Sequence, residues 1–347
     1  MNKKQVLLGC IWLVFAIVPL FSTDYFLHIG IMIFMYAYLS QCWNIMSGYS
    51  GQFSFGHAAF FGTGAYASSI LLTKYAITPW IGMLVGAVVS LLIGLLIGFL
   101  SFRYKLKGAY FALASLAFAE ILRQIIQNMD YFNKTMGIII PLKANPFMYQ
   151  FSSRVVYYYV IFILATLVTL LVYKLSRSKL GYNLVAIREN EDAARSLGVD
   201  TYRNKMIAIG LSSALTALAG TFYAQYLLLI EPPTAFSSDV SVSILLPAIV
   251  GGAGTVLGPV VGAFIMTPLG ELTNALFSGI PGMQFIFYGA VLVLVILFLP
   301  EGVVGWIINR MRLRALEKNG TAGANKAASG KGEGYANPKR QSPDQTI

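Results

Sequence analysis

Residues 79–101 read PWIGMLVGAVVSLLIGLLIGFLS, from Pro79 to Ser101, without a charged side chain. As a helix rising about 1.5 Å per residue, this run crosses a bilayer core roughly 30 Å thick. Lipid offers no partner to backbone N–H and C=O groups, so a chain crossing there must bond within itself, as a helix does. Outward from this stretch the pattern recurs. Candidate spans run approximately 6–22, 27–46, 55–73, 79–101, 108–127, 155–175 and 205–229, then a broken region at 243–278 and a span at 283–299. Of 347 residues, 57% are hydrophobic and 11% charged, whereas a soluble domain spends about a quarter of its residues on charge. A soluble globule is excluded. The expected fold class is an all-α integral membrane protein, a polytopic bundle of about 8–10 segments including short or re-entrant helices.

The formal charge of +11 does not point to nucleic acid, because Lys and Arg lie mostly in short loops between apolar blocks and in the tail. That distribution is the one that sets membrane topology. Alternating spans bring Lys3/Lys4, Arg103/Lys105/Lys107, the cluster from Lys174 to Lys205 and Arg310/Arg312/Arg314 to one side. Both termini are therefore expected to be cytoplasmic, with Lys74, Lys143 and Asp239 external. The same parity makes residues 243–278 leave and return to the outer face, as two short helices or as a re-entrant half-helix plus a tilted helix. Lys3 and Lys4 before Val6–Ser22 resemble a signal peptide, and Leu7–Cys10 a lipoprotein box. No small-x-small site closes the run, and its apolar part follows the cysteine, so a retained first helix is expected. Cys10 and Cys42 are too few for a disulfide framework or a metal site. After Arg314 the chain turns to Gly, Ala, Lys, Asn and Ser, which divides it into a permease domain, 1–314, and a disordered cytoplasmic tail, 315–347.

Two glycine-rich interruptions break the apolar pattern. The first runs from Ser47 through Gly48, Gly51, Gln52, Ser54 and Gly56 to His57. A helix broken at membrane depth is tolerated inside protein or beside a watery cavity, where freed backbone groups can meet a solute. These residues read equally as a substrate path and as a tight turn with close helix packing, and His57 as a packed, hydrogen-bonded histidine. The second contains Gly251, Gly252, Gly254 and Gly258, with Gly262 following. Gly254, Gly258 and Gly262 fall four apart and would form a helix-packing stripe, while Gly251 and Gly252 mark a break that a solute path could use. Glu120, Arg123 and Glu271 lie in or near apolar segments, where charge is costly; Glu120 and Arg123 have the spacing to pair.

The polar loop from Leu184 to Val199 carries Arg188, Glu189, Glu191, Asp192, Ala193, Ala194, Leu197 and Gly198. Its apolar positions Val185, Ala186, Ala193, Ala194 and Leu197 can share part of a short helix that Gly198 stops. Such a helix suits docking on a soluble partner or lying against headgroups. Taken with Trp43-Asn44-Ile45, Gly48 through His57, Phe60 through Tyr66, Gly108 through Leu113, Ala186 through Glu191, Ser196-Leu197-Gly198, Leu218-Ala219-Gly220 and Gly251-Gly252, the chain resembles the permeases of high-affinity branched-chain amino acid ABC importers up to about residue 305. It looks like the subunit of the pair with the longer cytoplasmic loop. ABC importer permeases carry Glu-Ala-Ala, three residues, then Gly, against the ATPase; Asp192-Ala193-Ala194 and Gly198 match with Asp for Glu, and the distal Ile-x-Leu-Pro is absent at the expected distance.

The resemblance implies a non-catalytic permease in the cell (inner) membrane of a bacterium or archaeon, which binds no cofactor itself. It pairs with a second permease, two cytoplasmic ABC ATPases that use ATP and Mg, and an extracytoplasmic solute-binding protein. No G-x-x-x-x-G-K-[ST] phosphate loop occurs in the sequence. Branched-chain amino acids or similar small solutes are the implied cargo. A secondary transporter or channel is the alternative, with Glu120 and Glu271 as its only candidate coupling groups.

Overall fold

A computed structural model describes residues 15, 18–20, 23–142, 145–277 and 282–311. Most of the first expected span, Cys10, Lys143 and the expected tail boundary at 314 lie outside the described residues. The helices are α1 (Asp24–Trp43, continued by a π-helical turn, Asn44–Gly48), α2 (His57–Tyr75), α3 (Pro79–Arg103), α4 (Ala109–Asn128), α5 (Arg154–Ser176), α6 (Lys179–Glu189), α7 (Glu191–Ser196), α8 (Thr201–Leu227), α9 (Pro232–Ala235), α10 (Ser238–Gly251), α11 (Gly258–Leu276) and α12 (Met283–Phe298). Two short strands, β1 (Ile138–Ile139) and β2 (Leu229–Ile230), pair antiparallel with Ile138 opposite Ile230. Among the described residues, seven helical segments are long and apolar enough to cross a membrane: α1 with its π turn, α3, α4, α5, α8, α9 together with α10, and one that begins at Met283.

Helix starts follow local chemistry. Pro79 opens α3, where its missing N–H costs nothing. The Ser153 hydroxyl accepts from Val155 N at α5, the Asp200 carboxylate from Arg203 N at α8, and the Ser237 hydroxyl from Val240 N at α10. The broken region resolves into two helices, α10 and α11, joined by a turn over residues 252–257. At 14 residues α10 spans only about 21 Å and does not cross a bilayer core by itself.

Helices α2, α3 and α8 pack mutually, as do α1 with α5 and α11, and α10 with α11. One face of α3 buries Gly82, Gly86, Ser90, Gly94 and Gly98. Small residues every fourth position let α3 close onto α2 and α8: a Cβ on Gly82 would press on Ser68 of α2, and one on Gly94 on Ser213 of α8. The opposite face leaves Leu84, Val88, Leu92 and Leu96 exposed.

The α2 helix starts inside the bundle. The imidazole of His57 bonds the Ser212 hydroxyl at 2.8 Å. Ser212 is three turns into α8, roughly 16 Å from its start. Ala58 N donates to the Ser241 hydroxyl at 3.0 Å, so α10 begins at the same level. Residues up to Gly305 form one compact unit, and those from Trp306 belong to a second, in which the Arg310 guanidinium lies 5.0 Å from the Trp306 ring.

Candidate functional site

The end of α1 is built around a polar pair within an otherwise apolar helix. The Asn44 amide, at the start of the π turn, donates to the Thr255 carbonyl at 2.9 Å and accepts from Gly254 N at 2.7 Å. One turn earlier Gln41 donates to the Val256 carbonyl at 2.6 Å. Three backbone groups of the α10–α11 turn are thus satisfied by α1 side chains, which is how an irregular segment is made tolerable in a buried place. Arg188, at the end of α6, reaches the same spot: its Nη1 donates to the Gly48 carbonyl at 3.0 Å, and its Nη2 pairs with Glu189 at 2.8 Å. Glycines make the room. Gly51 has φ +70°, and a Cβ there would lie 2.8 Å from the Arg188 side chain; a Cβ on Gly254, φ +78°, would run into the guanidinium.

The loop segment is two helices rather than one. Asn190 breaks the backbone between α6 and α7, and its side chain caps α7 by accepting from Asp192 N and Ala193 N at 3.1 and 3.0 Å. The far end closes on Gly198, φ +85°, with Gly198 N bonding the Arg195 carbonyl and Val199 N the Ala194 carbonyl, the Schellman pattern. Expecting Ala194 in the face given to a partner requires correction. It is 3% exposed and packs into its own chain, because Glu191 anchors α7 from the same inner side, whereas Leu197 is 85% exposed. Asp192 and Arg195 are also exposed.

Glu191 is itself turned inward. Its carboxylate lies 2.7 Å from the Lys205 ammonium of α8, 3.4 Å from Lys107 in the α3–α4 connection, and 3.4 Å from Arg195. The Lys205 side chain is buried and lies 4.9 Å from the Phe102 ring centroid. Desolvation raises the Glu191 carboxyl, but the Lys205 and Lys107 ammoniums together outweigh it and hold the group below the usual carboxylate range.

The two glycine breaks differ from their linear reading. Around the first, Trp43 Nε1 donates to the Ser54 carbonyl, the Ser47 hydroxyl to the Gln52 carbonyl, and Phe55 N to the Ser115 hydroxyl. Gly56 N donates to the Ser54 hydroxyl. These bonds knit residues 47–56 into the bundle; the Gln52 Oε1 and His57 Nδ1 atoms are left buried without a partner. Around the second, the expected stripe loses Gly254, which leaves the helix for the turn, and gains Gly251. A Cβ on Gly251 would collide with the Gly258 carbonyl, and one on Gly262 with the Pro247 carbonyl, so α10 and α11 cross backbone to backbone at Gly251, Gly258 and Gly262. Gly252, φ +121°, lies against the Glu301 carbonyl.

Arg188, Gly48, Gly51 and Gly254 therefore meet at one place, together with Asn44, Gln41 and Thr255, which the linear reading did not single out. Its available signal was two amide side chains three apart inside an apolar span, which face one way on a helix. Glu120 and Arg123 do pair, at 2.8 Å from Arg123 Nε, on an exposed face of α4.

Comparison with known proteins agrees with this architecture. The high-affinity branched-chain amino acid transport system permease protein LivM of Escherichia coli is 26% identical over 92% of this chain and 78% of its own length. The probable LivM of Methanocaldococcus jannaschii is 24% identical over 68% of each chain. The autoinducer 2 import system permease protein LsrC of Klebsiella pneumoniae is 34% identical over a shorter region, 27% of this chain and 29% of its own. No solved structure matches. The model of the family described as "Branched-chain amino acid transport system / permease component" matches residues 25–296. A match over that much of a multi-span helical chain means that this protein belongs to that family, as a non-catalytic permease component of an ABC importer in a membrane.

Proposed function

We infer that this chain is one of two permeases of an importer for branched-chain amino acids or similar small solutes. Two cytoplasmic ATPases drive it with ATP and Mg, and an extracytoplasmic binding protein delivers the solute. Its place is the bacterial or archaeal cell membrane, with the 1–314 domain spanning it, both termini inside and the tail after 314 in the cytoplasm. The observation that carries the reading is Arg188, which ties the α6–α7 segment to the end of α1 and to the turn between α10 and α11.

An ATPase that grips α7 through Leu197, Asp192 and Arg195 moves α6 with it, and α6 moves Arg188. Arg188 in turn bears on Gly48 and on the α10–α11 turn, two backbone breaks joined through Asn44. Glycines pack these segments with no side chain between, so displacement passes from one backbone to the next instead of being absorbed. Glu189, Ala193 and Gly198 shape the docking segment; Gly48, Gly51, Gln52, Ser54, His57, Gly251 and Gly252 mark the helix breaks beside the solute path, and Gly251 with Gly258 and Gly262 holds the α10–α11 crossing.

Purification of the intact complex and measurement of ATP hydrolysis with leucine, isoleucine, valine, urea and short amides tests the reading. Stimulation by the three aliphatic amino acids through the binding protein is expected. A complex that contains no ATPase, or that moves solute on an ion gradient alone, refutes it.

A further inference from the structure

The first turns of α6 and α8, which pack together, border a cavity of about 620 Å³ that the coupling path does not use. Its volume lies within the range that takes a small-molecule ligand. Lys179 of α6 and Arg203 of α8 line it, and both are exposed. Among the described residues, neither has a carboxylate within ion-pair distance, whereas Arg188, Arg195 and Lys205 of the same segment all do. The Asn183 amide of α6 donates to the Asn204 amide oxygen of α8 at 3.3 Å, and both line the cavity. Asn204 gives one N–H to the Asp200 carbonyl, so each amide nitrogen keeps a second N–H to offer. The acid in the lining, Asp200, is turned to its own helix, where its carboxylate accepts from Arg203 N at 2.9 Å.

This cavity lies at the level of a membrane surface. Helix α8 has 27 residues, about 40 Å, and so exceeds a hydrocarbon core by roughly 10 Å. Its charges, Arg203 and Lys205, are in the first two turns and none follows before Leu227, which puts the excess length at this end. Tyr173, Tyr182 and Tyr202, from α5, α6 and α8, are exposed, and the Arg177 guanidinium lies 4.3 Å from the Tyr173 ring. Exposed tyrosines and cations at the ends of spans make the belt found where helices leave lipid. One turn deeper than Arg203, the exposed Ile207 joins Leu180 as an apolar wall of the cavity.

Two unpaired cations and two amide donors select an anion with several acceptor oxygens. The apolar wall beside them, facing the level of the acyl chains, selects an anion that carries hydrocarbon. An acidic segment of a soluble protein satisfies the cations and leaves Ile207 uncovered. We propose that the cavity between α6 and α8 binds the headgroup of an anionic phospholipid, with its phosphodiester between Lys179 and Arg203 and its chains along Ile207. Leu197 also lines the cavity, so the bound lipid adjoins the segment offered to the ATPase. The inference goes beyond the importer reading and holds whichever solute the chain carries.

Native mass spectrometry of the intact complex, delipidated in detergent and titrated with dioleoylphosphatidylglycerol or dioleoylphosphatidylcholine, tests it by counting the lipids that stay bound. Wild type is expected to hold more phosphatidylglycerol than phosphatidylcholine at matched concentration. The Lys179→Gln/Arg203→Gln double variant should hold one phosphatidylglycerol fewer per complex, and each single variant should need about fivefold more lipid to fill that site. Lys134→Gln, which removes a cation paired with Asp130 in the connection after α4, should match wild type. Excess inorganic phosphate should not displace the lipid, because it has no chains to cover Ile207.

Equal binding of the two lipids by wild type overturns the proposal, as does an unchanged phosphatidylglycerol count in the double variant. Displacement by inorganic phosphate would make the cavity a free-anion site and overturns it too. So does loss of the ATPase from the double variant with its phosphatidylglycerol retained, which would make the occupant an acidic segment of that subunit.

Discussion

The Nη1 of Arg188 donates to the carbonyl oxygen of Gly48 at 3.0 Å, across 140 residues of sequence. This bond joins the segment between α5 and α8 to the point where α1 ends. Hydrogen bonds from charged donors contribute about 1.5–3 kcal/mol. Arg188→Ala is expected to insert and assemble, since neighbouring contacts hold the bundle, but to lose roughly tenfold or more of the solute stimulation of ATP hydrolysis. Full stimulation in that variant would show that the bond is not on the transmission path.

The α10–α11 crossing leaves no space for side chains. Gly262→Leu would drive a side chain into the Pro247 carbonyl, and overpacking of this kind costs about 1–3 kcal/mol. Its thermal midpoint in detergent should fall by several degrees. Gly289→Ala on α12 is the control, because a Cβ there meets nothing within 4 Å, and its midpoint should hold. Equal midpoints for Gly262→Leu and wild type would refute the close crossing.

Two substitutions on α7 should part company. Ala194 is buried, so Ala194→Glu places an unpaired carboxylate inside the chain at a cost of several kcal/mol and should loosen α7 itself, seen as faster amide exchange at 192–197. Leu197 is 85% exposed, and Leu197→Asp should leave exchange unchanged while reducing co-purification of the ATPase. If Leu197→Asp retained the ATPase in full, docking would have to lie on another surface.

Glu191 supplies a pH dependence with a definite sign. Its carboxyl is held below the unfolded value of about 4.3 by the lysines beside it. The stabilisation is therefore complete above about pH 4.3 and is lost as pH falls through the lower, folded value. Amide exchange in α7 should be steady, after correction for intrinsic rates, from pH 7 to about 5 and should rise below about 4. Glu191→Gln should abolish that step. A step that survives in Glu191→Gln would place the titrating group elsewhere.

Much of the architecture was legible in the linear sequence for one physical reason: lipid forces each crossing segment to close its own hydrogen bonds, so span and helix coincide. The run from Pro79 to Ser101 became α3 with two residues to spare, and the parity of the charged loops required a helix pair in 243–278, as α10 and α11 provide. Small residues at 82, 86, 90, 94 and 98 were also there to be read as a packing face, since spacing by four is a local property of a helix. Tertiary structure decided the rest. Ala194 faces inward because Lys205, 11 residues later on another helix, and Lys107, from a connection far earlier, pull Glu191 to that side. Gly254 left the glycine stripe because Asn44 captures its N–H, and Gly251 replaced it because only the crossing of α10 over α11 shows which carbonyls a Cβ would strike. Periodicity along one helix says which residues share a face; what that face meets depends on segments remote in sequence, and it is there that the contact of Arg188 with Gly48 was determined.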